Sequence, residues 1–366
     1  MMNNLGIYIH VPFCKKKCNY CDFVSFKSEN FKEYFDALLR EVDLYKDYIS
    51  ENEIDSIFIG GGTPSLVDPL CIEKVLKKFK VKNGCEITIE TNPKTLDLEK
   101  LKKYKDMGIN RISIGMQSAN DNELKYLGRI HTFSDFLKSY ELVCDAGFSN
   151  INVDTMFGIP SQTLESFEKT LNEVKKINPA HISSYSLIIE EGTPFYNMEL
   201  NLPSEDEERK MYEMLSDLLS SYNKYEISNF AKECFECKHN IKYWTMQNYL
   251  GLGLNSHSFI DGTRFWNTDL MNEYITRLSD GCYPVKEHEK ESTRELVTDY
   301  IITGLRLIEG INTEKINKKF GINFYDEFKD IILKYEDLDM LEFKNNILRF
   351  TEKGISVSNY ILSDFI

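Results

Sequence analysis

At 366 residues, with 42% hydrophobic and 13% aromatic side chains, the chain can bury a large core and is not a disordered protein. Lys and Arg number 44 against 58 Asp and Glu, and a formal charge of −14 is the wrong sign for a nucleic-acid or anionic-membrane surface. Nine cysteines, an odd number and mostly scattered, with no signal-peptide pattern and no spanning apolar run, point to reduced thiols in a cytoplasmic protein.

Taken in order, the chain alternates. LGIYIHV (5–11) reads as a strand, followed by CKKKCNYC and a helical apolar spacing across Phe31 to Ile49. IDSIFIG (54–60) is a buried strand that runs into GGTPS. A helix near 70–80 leads to the strand CEITIET (85–91), and one at 97–106 leads to NRISIGMQ (110–117). Helices around 121–127 and 133–146 precede the strand NINVDTMFG (150–158). LESFEKTLNEVKKI (164–177) is helical and HISSYSLII (181–189) is a strand. A helix from about 205 to 222 feeds one more strand, KYEISNF. Strand–helix alternation repeated six times argues for a parallel α/β sheet. Short helices then run from about 268 to 336. DMLEFKNNILRFTEKG holds two strands around an Asn-Asn turn, and a last helix lies near 353–364.

Parallel sheets bind ligands at the carboxyl ends of their strands. The polar clusters fall there: the cysteines after the first strand, GGTPS after the second, Glu90 closing the third, Gln117 closing the fourth, and Asp154 late in the fifth. Cys14, Cys18 and Cys21 are spaced C-x3-C-x2-C. Three thiolates do not close a structural zinc site, which takes four protein ligands. They suit three corners of a [4Fe–4S] cluster and leave one iron open. The glycines of GGGTPS (60–65) let backbone approach a ligand closely, and a plain tight turn is the competing explanation.

YIHVPFCKKKCNYCDF, FIGGGTPS, IETNP, SIGMQS, LGRIH, NVDTMFGIPSQT and CKHNIKYW together resemble the HemN/HemW branch of the radical S-adenosylmethionine (SAM) superfamily. That branch holds an oxygen-independent coproporphyrinogen III oxidase and a haem chaperone, and the resemblance covers nearly the whole chain. It implies a [4Fe–4S] cluster on Cys14, Cys18 and Cys21, with SAM chelated at the open iron. It also implies SAM contacts from Tyr8, Tyr20, Gly61, Gly62, Thr63, Glu90, Gln117, Arg129 and Asp154. Arg129 suits a carboxylate, and Glu90 and Asp154 suit an amine or ribose hydroxyls.

Two departures separate the relatives. The oxidase has a further cysteine two positions after the third, where this chain has Phe23, and a long N-terminal extension, whereas thirteen residues precede Cys14 here. Oxidase activity is therefore not expected. HNIKYW (239–244) resembles the H-N-x-x-Y-W motif that implicates the histidine in haem binding, with Tyr243 and Trp244 as flat apolar surface. Cys237 is the rival axial ligand. Cys234 and Cys237 with His239 make an incomplete zinc set, and the role of Cys234 stays open. YLGLGLNSHSF resembles a glycine-rich stretch of the branch, with His257 read as structural.

The expected architecture is α/β: a partial (β/α)6 radical SAM barrel over 1–230, with a smaller, mostly helical, winged-helix-like domain over 231–366. That last domain lacks a basic recognition face, so a lid or partner surface is expected rather than DNA. The expected ligands are the cluster, SAM and haem. The expected partners are haem-acceptor proteins, respiratory ones among them, and a reductant protein, with a homodimer as one arrangement and no nucleic acid. A radical SAM enzyme acting on a tetrapyrrole is the alternative, and a tRNA-modifying one is disfavoured by the acidic balance.

Overall fold

The computed structural model describes residues 4–27 and 31–366. Parallel neighbours need long crossovers, and helices supply them here. β1 (Asn4–Val11) runs through the cysteine loop to α1 (Lys32–Leu44), α2 (Lys46–Ser50) and β2 (Glu53–Gly61). α3 (Pro69–Leu76) precedes β3 (Val81–Thr91), and α4 (Leu98–Asp106) precedes β4 (Arg111–Gln117). α5 (Asp121–Tyr126) and α6 (Phe133–Asp145) lead to β5 (Ile151–Phe157), and α7 (Leu164–Ile177) leads to β6 (His181–Ser186). Side-chain caps start these helices where the sequence places Asp, Asn or Thr: Asp97 accepts from Lys100 N, and Thr132 and Thr163 each form a reciprocal capping box.

β1 to β6 lie side by side in chain order, and every neighbouring pair is parallel. Their two faces differ in chemistry, because strand side chains alternate. Ile7, Ile9, Ile112, Ile114, Val153 and Ile182 are buried in the core shared with the helices. Tyr8, His10, Arg111, Ser113, Asn152, Asp154, Ser183 and Tyr185 occupy the opposite face, where they line one cavity. This is the expected partial barrel, apolar outside and polar within.

The barrel is extended at both edges. After α8 (Glu205–Leu218), KYEISNF does not form one strand: it divides into β7 (Asn223–Lys224) and β8 (Asn229–Ala231), antiparallel to each other, with β8 antiparallel to β6. The buried Glu226 carboxylate accepts from Ser228 N at 3.1 Å and from the Asn229 amide, and so folds the chain back on itself. α9 (Lys238–Trp244) follows, and β9 (Tyr249–Leu252) joins the free edge of β1 in parallel. β10 (His257–Ile260) and β11 (Thr263–Asn267) come next, then α10 (Met271–Ser279) and β12 (Val285–Lys290), which complete a 12-stranded sheet. The sheet thus runs across residue 230, where a domain boundary was expected. β12 also interrupts the expected run of short helices. VKEHEK is exposed along most of its length, so it carries no apolar alternation to mark it as a strand.

The remaining chain packs on its own core, with Ile301, Ile316, Phe328, Ile332 and Leu348 at its centre. It comprises α11 (Thr293–Gly304), β13 (Ile311–Asn312), α12 (Thr313–Phe320), α13 (Phe324–Asp337), β14 (Leu341–Lys344), β15 (Ile347–Phe350), α14 (Glu352–Ile355) and α15 (Ser358–Ser363). Asn345 and Asn346, with φ of 53° and 62°, make the tight hairpin turn between β14 and β15. Helices and a hairpin give the winged-helix-like arrangement. Among the described residues, no helix is long and apolar enough to cross a membrane.

Candidate functional site

A cavity of about 810 Å³ lies inside the barrel, and all thirteen residues expected at the site line it. Cys14, Cys18 and Cys21 sit on the loop that leaves β1, partly exposed and not in disulfides. Cys14 Sγ is 3.6 Å from the Thr63 hydroxyl, and Arg129 Nη1 is 3.8 Å from Cys18 Sγ. Among the described residues, no three His, Cys, Asp or Glu side chains are grouped so as to hold a single metal ion.

The loop is held by the strand ends rather than by its own sequence. Gly62 N donates to Val11 O at 2.9 Å and Thr63 N to Phe13 O at 2.8 Å. A Cβ on Gly62 would lie 2.7 Å from Phe13 O and 2.8 Å from Phe13 N, and one on Gly61, at φ +104°, would lie 2.5 Å from the His10 ring. Both glycines are thus required by contact with the cysteine loop and its strand, besides facing the cavity.

The polar groups form one connected set. Arg129 Nη2 donates to Gly115 O at 2.9 Å and to Asn92 Oδ1, and Asn92 Nδ2 donates to Thr63 Oγ1 at 2.9 Å. A Cβ on Gly115 would come within 2.9 Å of Arg129 Nη2, so this glycine makes room for the guanidinium. A carboxylate meeting Arg129 would find Nη2 already engaged. Gln117 ends β4 with φ of 67°, a strained value for a residue other than glycine, and its Oε1 lies 3.4 Å from the Tyr185 hydroxyl.

Tyr8 and His10 point inward from β1. His10 Nε2 donates to the Val24 carbonyl at 2.9 Å, which leaves Nδ1 to accept from the Tyr8 hydroxyl at 3.0 Å. Burial lowers His10 to a pKa of about 4, so it stays neutral and ties the far end of the cysteine loop to β1. Glu90 Oε2 accepts from Gly61 N at 3.1 Å. Burial, and then the nearby Asp154, push Glu90 up to about 8. Asp154 is raised by burial as well, although Asn152 Nδ2 at 2.7 Å and Ser113 Oγ at 3.2 Å donate to it. Burial thus disfavours the charged form of both carboxyls, and the Arg111 cation and the hydrogen bonds they accept oppose it.

His239 is on the first turn of α9, not on a loop, and it is fully buried. Glu86 accepts from Lys238 N and His239 N, each at 3.2 Å, and anchors that turn inside the barrel. Gly6 allows the approach, since a Cβ there would lie 2.8 Å from Lys242 Cδ and 3.3 Å from His239 Cε1. Both ring nitrogens have partners: Nδ1 the Ser56 hydroxyl and Nε2 the Tyr243 hydroxyl, each at 2.9 Å. Burial lowers the imidazole to about 3, so it is neutral. Tyr243 lines the cavity with it, whereas the Trp244 ring turns to Arg306, 4.5 Å from the guanidinium carbon.

Cys237 is fully buried, holds its S–H toward Glu86 at 3.6 Å, and does not line the cavity. Cys234 is exposed. Neither thiol joins His239 in a metal-holding group among the described residues. His257 stands exposed at the cavity, stacked on Trp266 with 5.6 Å between ring centroids. Asn92 and Arg111 are cavity residues that sequence reasoning gave no role. Asn92 sits in IETNP, two residues beyond Glu90, and that spacing was its only signal. Arg111 carried none, because it opens its strand at the end remote from the motifs.

Residues 8–174 match the Radical SAM superfamily and residues 292–357 match the HemN C-terminal domain. The chain is 32% identical to the heme chaperone HemW of Bacillus subtilis, over 98% of both chains. It is 36% identical to HemW of Buchnera aphidicola subsp. Schizaphis graminum, over 99% of this chain and 98% of that one. It is 34% identical to HemW of Escherichia coli, over 83% of each. Among solved structures, the radical SAM enzyme coproporphyrinogen III oxidase (HemN) of Escherichia coli superposes with a TM-score of 0.86. That match covers 100% of this chain and 90% of the other at 21% identity, so it speaks for the fold.

Proposed function

The chain belongs to the HemW family of the radical SAM superfamily, and from that membership we propose that it is a haem chaperone. On this reading it binds haem, a [4Fe–4S] cluster and SAM in the cytoplasm, and passes haem to acceptor proteins. Cys14, Cys18 and Cys21 hold the cluster, which when bound chelates SAM and accepts an electron from a reductant protein. Tyr8, Tyr20, Gly61, Gly62, Thr63, Glu90, Gln117, Arg129 and Asp154 surround SAM. His239 is the haem ligand, because its ring is neutral and borders the cavity while the Cys237 thiol does not.

The observation that carries the reading is the convergence of three thiols, two raised carboxyls and His239 on one cavity. The protein's own residues set its chemistry. Glu90 gives up a proton to meet a cationic ligand, and Arg129, Asn92 and Thr63 lock the cysteine loop to the strand ends. Phe23 stands more than half exposed at the cavity, where the oxidase carries a cysteine. An apolar ring there cannot move a proton.

The test is anaerobic reconstitution followed by two separate mixtures, one with haem and one with coproporphyrinogen III plus SAM. Haem retention with a shifted Soret band and no decarboxylated product is expected. Multiple-turnover product formation would restore the oxidase reading. Cys14→Ala, Cys18→Ala and Cys21→Ala should each lose iron and visible absorbance. His239→Ala should alter the Soret band with the cluster intact, and Cys237→Ala should not. The reverse pattern would move the ligand to Cys237.

A further inference from the structure

Arg111 is the largest of the fully buried side chains, and it lines the cavity at the amino end of β4, opposite the cysteine loop. A guanidinium in an interior is ordinarily paired with a carboxylate, because an uncompensated buried charge is costly. Arg111 is not so paired: among the described residues it makes no ion pair, and its buried Nε has no partner.

The carboxyls of Glu86 and Asp154 act on Arg111 through space, but their hydrogen bonds are made elsewhere. Glu86 accepts from Lys238 N, His239 N and the Cys237 thiol, and so serves as the anchor of α9. Asp154 accepts from Asn152 Nδ2 and Ser113 Oγ. The neutral side chains beside Arg111 are also engaged: Asn152 Oδ1 accepts from the Ser183 hydroxyl at 3.1 Å and is 2.6 Å from His181 Nδ1. What remains is a nearly buried planar cation in the cavity wall, with N–H donors that no described carboxylate takes. That is the geometry that receives a carboxylate in two parallel hydrogen bonds.

We propose that the cavity floor at Arg111 is a carboxylate subsite. The inference rests on the haem-chaperone reading, under which the carboxylate is a haem propionate. SAM's own carboxylate is the other source, expected instead near Arg129 at the cysteine loop. Seating a propionate at Arg111 would orient the macrocycle beside His239, which borders the same cavity.

The experiment titrates haem and haem dimethyl ester, whose propionates are capped, into the reconstituted full chain. Wild type, Arg111→Met and Arg111→Lys are compared, and SAM affinity is measured in each. Wild type should prefer free haem over the ester by on the order of tenfold. Arg111→Met should lower haem affinity to that of the ester with SAM affinity unchanged, and Arg111→Lys should restore part of the preference. The comparison of haem with its ester in wild type stands even if a variant fails to fold. No preference in wild type, or a preference retained in Arg111→Met, overturns the inference and leaves the chaperone reading intact. So does a fall in SAM affinity in Arg111→Met while haem and ester still differ. Wild type that binds neither porphyrin sinks the chaperone reading and the inference together.

Discussion

His239 Nε2 and the Tyr243 hydroxyl lie 2.9 Å apart, one helical turn from each other on α9, each holding the other in place at the cavity wall. Residues four apart on a helix share a face, so the motif H-N-x-x-Y-W builds this pair by its spacing alone. Iron can reach Nε2 only by displacing the tyrosine. Tyr243→Phe should therefore tighten haem binding about fivefold, the worth of one hydrogen bond of about 1 kcal/mol. Spectral titration measures it. Unchanged or weaker binding would argue that Nε2 does not meet iron.

Gly62 tests how the cysteine loop is held. In Gly62→Ala, the new Cβ meets backbone atoms of Phe13 that have no rotamer to escape into. The loop should shift, and iron content after reconstitution should fall severalfold while the far-UV circular dichroism stays native. Full iron loading in Gly62→Ala would mean the loop tolerates the displacement.

SAM affinity should depend on pH through Glu90. Its carboxyl is pushed up to about 8, first by burial and then by Asp154. SAM's sulfonium is a fixed positive charge that favours the ionised carboxylate, so binding below that pH expels a proton. Affinity should rise by about tenfold per pH unit toward pH 8 and level off above it, as one-proton linkage requires. Equilibrium dialysis at several pH values in wild type and Glu90→Gln is the check. A flat wild-type profile would remove Glu90 from the contact.

Glu41 should make stability pH-dependent in an unusual direction. It is fully buried and accepts from Gly253 N at 2.7 Å, the Tyr274 hydroxyl at 2.6 Å and Asn267 Nδ2 at 2.5 Å, so it ties α1 to the segments after β9. Burial nonetheless raises its pKa to about 7. Between the ordinary glutamate value of 4.5 and about 7, the folded chain keeps a proton that the unfolded chain has released. More protons bound in the folded state means that stability falls as pH rises through this window, by up to about 3 kcal/mol. Above pH 7 this contribution is flat. Urea unfolding at pH 5 and pH 8 should show the drop in wild type and much less of it in Glu41→Gln. Equal drops in both proteins would place the linkage elsewhere.

Much of the barrel was legible because its signals are local. Six apolar strands alternate with amphipathic helices, most of them capped after the first crossover, and each polar motif follows its strand within a few residues. Where the signal was not local, the reading failed. KYEISNF looks like one strand until Glu226 reaches Ser228 and Asn229. VKEHEK looks like no strand, because only pairing with β11 makes it one.

The sequence by itself determined the alternating α/β order, the C-x3-C-x2-C loop and the presence of Glu90, Gln117 and Asp154 near strand ends. Periodicity and spacing along the chain suffice for those. Only the tertiary structure decided that the sheet continues past residue 230, since β9 meets β1 across more than two hundred residues of chain. It also decided that Gly62 is required by Phe13, and that His239 faces the cavity while Cys237 turns to Glu86. Arg111 is the clearest case. A basic residue opening a strand reads as solvent-exposed, and only closure of the sheet around it leaves that charge inside the barrel without a carboxylate of its own.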